Sequence, residues 1–388
     1  MTIFGAQNLK LSMTLAQQQY LELLRAGLWG TPADPSLFQG EVDWKAILRT
    51  SHQQTTNIIV ADGIDTLPPS LCPPKKRIFK LAIRRTENTL MHKLLNTTIN
   101  QVVQALNAEG IWSILLKGQG VACNYLCPQS RMCGDIDLYV GEENFERACE
   151  VLKKEGATGS HDYDNHEFHI ALDLEGATIE VHKKADVLND RALNRSLQQW
   201  TKEKLDAKIA DGSLPGWDNE GVLINLPDPT YNAFYIIHHA VRHLIGEGIG
   251  LRHVCDWTTY MHTHHSQIDK EELLSKLTEY NMLEAWQLFG NIAVHAIGLP
   301  AEELPFMSDT QLTPKAEILL QHIFNSGNFG RYSEEKRDSK SNYIKRKWHN
   351  FWFQMSRLHK LHKIFPQYTR AFGWSWFTGA LRRFFSRK

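Results

Sequence analysis

The chain is 388 residues long, enough for two domains of ordinary size, each with its own buried core. Its 43 lysines and arginines balance 43 aspartates and glutamates, so whole-chain electrostatics give no general drive toward nucleic acid. The first twenty residues lack a basic segment followed by an apolar run, and no stretch reaches the roughly 18 apolar residues of a membrane span, so a cytoplasmic protein with no transmembrane segment is expected. The six cysteines are scattered; Cys123, Cys127 and Cys133 lack the paired spacing of a zinc site and are read as buried thiols.

In chain order, the periodicity predicts helices over Leu15 to Leu28, Trp44 to Ala61 and Phe79 to Ala108, with a Pro-rich break at Pro68 to Pro74. The period then changes. Ile111 to Leu116 suits a buried strand, Gly118 to Leu126 a short helix and Ile136 to Val140 a second strand. Glu142 to Lys154 reads as an amphipathic helix, and Phe168 to Leu174 with Thr178 to His182 as a hairpin turning at Glu175 and Gly176. Beyond Pro227 helices return: Thr230 to Leu244, Leu251 to His262, Lys270 to Asn281 and Leu283 to Ile297.

The informative segment is Leu115-Leu116-Lys117-Gly118 followed by Arg131-Met132-Cys133-Gly134-Asp135-Ile136-Asp137-Leu138. Alternate side chains of a strand share a face, so Asp135 and Asp137 point together while Ile136 and Leu138 enter the core. Two carboxylates on one face repel, and a divalent cation removes the repulsion by using the oxygens as hard ligands. Magnesium is the natural ion, with manganese as its alternative, because it completes its shell with water and triphosphate oxygens. In Thr178-Ile179-Glu180-Val181-His182 the same alternation sends Glu180 away from Ile179 and Val181, so a neighbouring strand would deliver a third carboxylate. Lys117-Gly118 stands at a strand-to-helix turn where a glycine lets backbone approach phosphate, and Lys117 and Arg131 would add positive charge.

The order apolar strand, Gly turn, short helix, Gly-Asp-Ile-Asp-Leu strand and later acidic strand resembles the core of the DNA polymerase beta-type nucleotidyltransferase superfamily. Leu116-Lys117-Gly118, Arg131, Gly134 to Leu138 and Glu180-Val181-His182 resemble, more narrowly, a bacterial group of nucleotidyltransferases named largely by homology, and His238-His239 through Leu251 to Trp257 is similar to that group's second domain. The resemblance covers about Leu81 to Leu299. It implies Mg²⁺-dependent transfer of a nucleoside monophosphate from an NTP to an acceptor with release of pyrophosphate. Asp135, Asp137 and Glu180 would be the metal-binding and catalytic groups, and Lys117, Gly118 and Arg131 the nucleotide-binding ones. The chain departs from the superfamily at the turn: Lys117-Gly118-Gln119 replaces Gly-Ser or Gly-Gly, so the serine contact to the terminal phosphates is missing. A catalytically inactive binding or scaffold protein on the same fold is the alternative.

A zinc site at His166, His169 and His182 is not expected; His182 is read as a contact to phosphate or to a neighbouring carboxylate. His238, His239, His243 and His253 are read as core or groove histidines, and Arg252 with Asp256 as a helical ion pair rather than a reach across the cleft. The tail from Ser339 contains no acidic residue and interleaves bases with Trp348, Trp352, Trp374 and Trp376. It suits either packing on the rest of the chain or peripheral contact with an anionic membrane surface, such as the inner membrane, or with a nucleic acid. The fold expected is α+β: helices over 1–78, a mixed-sheet nucleotidyltransferase core over 79–205, a second helical domain over 206–330 and a basic aromatic tail over 331–388.

Overall fold

The computed structural model describes residues 13–159, 168–307, 309–330, 343–370 and 373. Helix α1 (Leu15–Trp29) begins on a capping box, Thr14 with Gln17, and ends at Gly30 in the left-handed region. The run expected as one helix over Trp44 to Ala61 is two, α2 (Trp44–Gln53) and α3 (Asn57–Asp65). Thr55 at φ 57° breaks it, and Gln54 at the break accepts from the Leu251 N–H at 2.9 Å. Tertiary hydrogen bonding therefore outweighs the local helical period. After the proline break comes α4 (Lys75–Ala108), 34 residues long.

The core segment follows as β1 (Ile114–Leu115), α5 (Gln119–Ala122), β2 (Asp135–Tyr139), α6 (Gly141–Lys154), β3 (Thr158–Gly159), β4 (His169–Leu174) and β5 (Ala177–His182). Then come α7 (Arg191–Thr201), α8 (Ala207–Ala210), β6 (Gly216–Asn219) and β7 (Val222–Asn225). The chain continues as α9 (Pro229–Gly246), α10 (Leu251–His264), α11 (Lys270–Glu279), α12 (Leu283–Ile292), α13 (Pro314–Ser326) and α14 (Tyr343–His362). Asp228, Asp269 and Thr313 cap α9, α11 and α13 through side-chain hydrogen bonds, so these starts are written locally.

The strands form one seven-stranded mixed sheet in the order β3-β4-β5-β2-β1-β7-β6. The β4–β5 hairpin turns where expected, on Glu175 and Gly176 with φ of 54° and 88°. The β6–β7 hairpin uses the same Glu-Gly pair, Glu220 and Gly221 at 52° and 90°, and β7 lies parallel to β1. The sheet thus runs on beyond residue 205, into the stretch expected to be helical. The added strands β6 and β7 are only four residues long and partly exposed, which leaves little apolar alternation to read.

The α+β architecture holds two cores. Beneath one sheet face, Ile136, Leu138, Ile179 and Val181 pack with Leu95, Ile99 and Val102 of α4 and Phe145 and Leu152 of α6. The other core joins α1 and α3 to α9, α10, α12 and α13. Trp29 Nε1 donates to the Ile297 carbonyl at 2.7 Å, so the N-terminal helices and the later helical region bury one continuous apolar cluster. The described part of the tail joins it: Leu361 and Phe365 are buried and the Tyr368 hydroxyl donates to the Tyr280 carbonyl at 3.2 Å. Trp352 stays exposed, while Trp374, Trp376 and the side chain of Trp348 lie outside the described residues. No helix among the described residues is long and apolar enough to cross a membrane.

Candidate active site

Strands β2 and β5 run parallel with Asp135 opposite Thr178, Asp137 opposite Glu180 and Tyr139 opposite His182; across the hairpin His169 faces His182. Since Ile136, Leu138, Ile179 and Val181 fill the core below, every one of these polar residues emerges on the other face. The sheet register therefore assembles Asp135, Asp137 and Glu180, whose carboxylate oxygens lie within 4.8 Å of one another. The aspartates sit in different surroundings. Asp137 is 1% exposed, whereas Asp135 opens to the cleft.

Charge compensation follows that difference. Lys117 Nζ is 2.8 Å and His182 Nε2 3.2 Å from Asp137 Oδ1. Burial raises the Asp137 carboxyl, but these two partners together hold it far below the carboxylate range. Asp135 is raised, first by repulsion from Asp137 and then by burial. Burial also pushes Glu180 up, yet its hydrogen bond from His182 leaves it lowered; His182 in turn is raised, its carboxylate partners outweighing its burial. His169 is pushed down to about 4 by burial and by His182 beside it.

Gly118 sets the turn that brings Lys117 in. Its φ of 61° is a left-handed conformation, and a Cβ there would stand 2.9 Å from the Asp135 carbonyl oxygen. The helix after it, α5, is one turn long, and its Gly120 and Val121 N–H groups bond back to the Lys117 and Gly118 carbonyls at 3.1 and 3.3 Å. Positive charge at this turn therefore comes mainly from the Lys117 side chain rather than from a helix dipole.

Opposite the acids, across a cleft of about 760 Å³, stand α9 and the start of α10. Tyr235, His238, His239, Arg242 and His243 follow helical spacing along α9. His239 lies 3.3 Å from Lys117 Nζ, and Arg242 Nη2 lies 3.2 Å from His239 Nδ1. Burial, reinforced by Lys117, keeps His239 far below its usual value and brings His243 down to about 4, so both imidazoles are neutral near pH 7. His253 is lowered likewise by burial and Arg252. Arg242 also covers Phe168 at 5.1 Å and approaches buried Asp186 at 3.5 Å; Asp186 in addition lies 2.7 Å from His238 Nδ1. Tyr235 hides its hydroxyl in the same layer, with no hydrogen-bond partner among the described residues.

Arg131 lines the cleft but spends its guanidinium on Asp256, through Nε to Oδ1 at 2.7 Å and Nη2 to Oδ2 at 2.9 Å. Both residues are buried, and Tyr125 adds a third hydrogen bond to the carboxylate. The helical Arg252–Asp256 pair expected from spacing is replaced by this pair between the loop before β2 and α10, because Arg131 offers a fork of two bonds in a dry setting. Arg252 instead lines the cleft and donates from Nη1 to the Met132 carbonyl at 3.1 Å.

A family model described as uncharacterised nucleotidyltransferase matches residues 40–298. The chain belongs to this nucleotidyltransferase family. No curated protein and no solved structure matches it. The family match takes in all seven strands and both cleft-lining helices, and it ends before α13 and the tail.

Within this nucleotidyltransferase, Asp135, Asp137, Glu180, Lys117 and Gly118 converge, and Arg131 stands at the cleft edge in its pair with Asp256. His166 lies outside the described residues. Asp186, Tyr235 and Arg242 were not singled out from the sequence. The periodic stripe on α9 is the signal that bears on the last two; Asp186, alone in a loop after β5, carries no local signal.

Proposed function

We propose that the cleft transfers a nucleoside monophosphate from an NTP to an acceptor hydroxyl or phosphate, releasing pyrophosphate, in the manner of polymerase beta-type enzymes. The observation that carries this reading is the convergence of three carboxylates on one sheet face, beside Lys117 and opposite Arg242 and Arg252 of the helical wall. The donor set fits a divalent ion of the magnesium or manganese kind: the ligands are oxygens, and the raised Asp135 carboxyl reflects a repulsion that a cation relieves. Asp135, Asp137 and Glu180 would hold it. Such an ion supplies Lewis-acid polarisation of the reacting phosphoryl group and activation of the attacking oxygen.

The chain's own residues supply the remainder. The attacking acceptor oxygen forms a bond to the α-phosphorus as the bond to the bridging oxygen of the leaving pyrophosphate breaks. Where the acceptor is a hydroxyl, Glu180, half-exposed beside His169, takes its proton. Lys117, now bound to Asp137, is free to turn to the triphosphate once the aspartate has another counter-charge, and this takes the place of the missing serine contact. Arg252 and Arg242 reach the phosphates from the helical wall, while Arg131 holds α10 in place through Asp256. The neutral imidazoles of His239 and His243 offer hydrogen bonds without fixing a further cation in the cleft.

Calorimetric titration with ATP, GTP, CTP and UTP, with and without Mg²⁺, tests this reading alongside Asp135→Ala/Asp137→Ala. Metal-dependent binding by the native chain that the folded double variant loses is expected. Failure of the folded native protein to bind any nucleotide overturns it in favour of an inactive binding fold.

A further inference from the structure

The sheet face carries a second set of metal donors next to the oxygen set. His182 follows Glu180 by two residues on β5, and His169 stands opposite His182 on β4, so all three side chains emerge on one side. Their donor atoms lie within 4.8 Å of one another. Nε2 of His169 and Nε2 of His182 are 3.6 and 3.5 Å from the same Glu180 oxygen, Oε2. These separations are close to what ligands of one ion show: two bonds of about 2.1 Å meeting at a tetrahedral angle put donor atoms roughly 3.4 Å apart.

We infer that His169, Glu180 and His182 form a second divalent-metal position, selective for Zn²⁺, Mn²⁺ or Co²⁺ over Mg²⁺, that shares Glu180 with the oxygen site. Imidazole nitrogen is a good donor to these transition ions and a poor one to magnesium, so two neighbouring positions built on one carboxylate differ in the metal they prefer. The ring planes are 27° apart with centroids separated by 4.8 Å; His182, 2% exposed, gives up its Nε2 hydrogen bond to Asp137 Oδ1 (3.2 Å) when it takes the ion, its remaining proton resting on Nδ1. His169 and Glu180 are only half-buried and line the cleft, which leaves the outward side of the position open to water or to substrate. Among the described residues neither ring has a protein partner at Nδ1, the atom whose outer hydrogen bond usually stiffens a metal-bound imidazole. Binding is therefore weaker than at a closed structural zinc site, as suits an exchangeable ion. The position is contrary to the sequence expectation, which lacked the strand pairing that sets His169 opposite His182.

A catalytic role for this second ion rests on the nucleotidyl-transfer reading; its binding does not. The full chain, stripped with a chelator, is titrated with Zn²⁺, Mn²⁺ or Mg²⁺ alone, and the Mn²⁺-loaded protein is examined by pulsed electron paramagnetic resonance for nitrogen coupling. Native protein should show ¹⁴N coupling that changes to the ¹⁵N pattern on ¹⁵N-histidine labelling, a result that depends on no variant. His169→Gln should weaken Zn²⁺ binding at one position at least tenfold and diminish the coupling while leaving Mg²⁺ binding intact. Asp135→Asn should do the reverse, losing Mg²⁺ and keeping the coupling. Absence of histidine coupling in the native protein, or Zn²⁺ binding unchanged in folded His169→Gln, overturns the inference. Loss of Mg²⁺ binding in every form with histidine coupling retained would count against the nucleotidyl-transfer reading alone.

Discussion

The two walls of the cleft are built by opposite means. On the sheet side, Asp135, Asp137, Glu180 and His182 come from two strands, and the two-residue period fixes which of them share a face. On the other side, Lys117 and Arg131 from loops, Arg242 from α9 and Arg252 with Asp256 from α10 are spread over 140 residues, and each is placed by another of the group or by a neighbouring residue of the cleft. The sheet side concentrates like charge that the fold only partly neutralises, whereas the helical side pairs its most deeply buried charges. Variants of the first should therefore cost chemistry, and variants of the second should cost stability.

The largest effect expected is that of Asp137→Asn. If nucleotidyl transfer is the activity, turnover falls about 10³-fold, because the carboxylate nearest both neighbours is lost while its shape is kept. A melting curve alongside the rate assay separates this from unfolding. Asp256→Asn lies on the other wall and should destabilise the chain by about 3–5 kcal/mol in urea unfolding, because it strands the buried Arg131 guanidinium. The double variant Arg131→Met/Asp256→Leu should recover most of that loss. If the single variant unfolds no more readily than the native chain, the contrast between the walls fails.

Gly118→Ala should cost about 1–3 kcal/mol, since alanine must adopt a left-handed φ and its Cβ meets the Asp135 carbonyl. The same unfolding measurement reads it, and a neutral result would mean that the turn relaxes away from Asp135. Lys117→Met sharpens the comparison at the cation bonded directly to the acid wall. Without its ammonium, Mg²⁺ should bind somewhat more tightly in the absence of nucleotide, and NTP affinity should fall about tenfold, as calorimetry would reveal. Equal losses for both ligands would deny Lys117 the role of a displaceable counter-ion.

The smallest effect carries a sign. In chelator, Asp135→Asn should melt slightly higher than the native chain, because it removes a carboxylate that Asp137 repels. The folded pKa of Asp135 is raised, so its ionisation opposes folding at neutral pH. The advantage of the variant should accordingly shrink as the pH falls through that raised value and the native carboxyl is protonated. Asp256 has the opposite sign: its folded pKa is lowered, burial being outweighed by Arg131. Its contribution is complete above about pH 4, the ordinary carboxylate value, and is lost as the pH falls further toward its folded value. An acid unfolding series on the native and Asp256→Asn chains checks this.

What the sequence by itself determined is what local rules dictate. Strand alternation marked Asp135 and Asp137 against Ile136 and Leu138, and Glu180 against Ile179 and Val181; the Glu175-Gly176 turn gave the first hairpin. The second Glu-Gly turn, at Glu220, offered the same signal in strands too short and exposed to show a period. Helix caps at Asp228 and Asp269 are likewise local, since a cap bonds to N–H groups two or three residues away. Only the tertiary structure decided that Arg131 pairs with Asp256 instead of facing the cleft freely, that Lys117 rests on Asp137, and that Asp186 anchors His238 and Arg242. Those choices depend on which charges become desolvated together. Desolvation is a property of the packed chain, set by elements more than a hundred residues apart in the case of Arg131 and Asp256, and no window of sequence contains it.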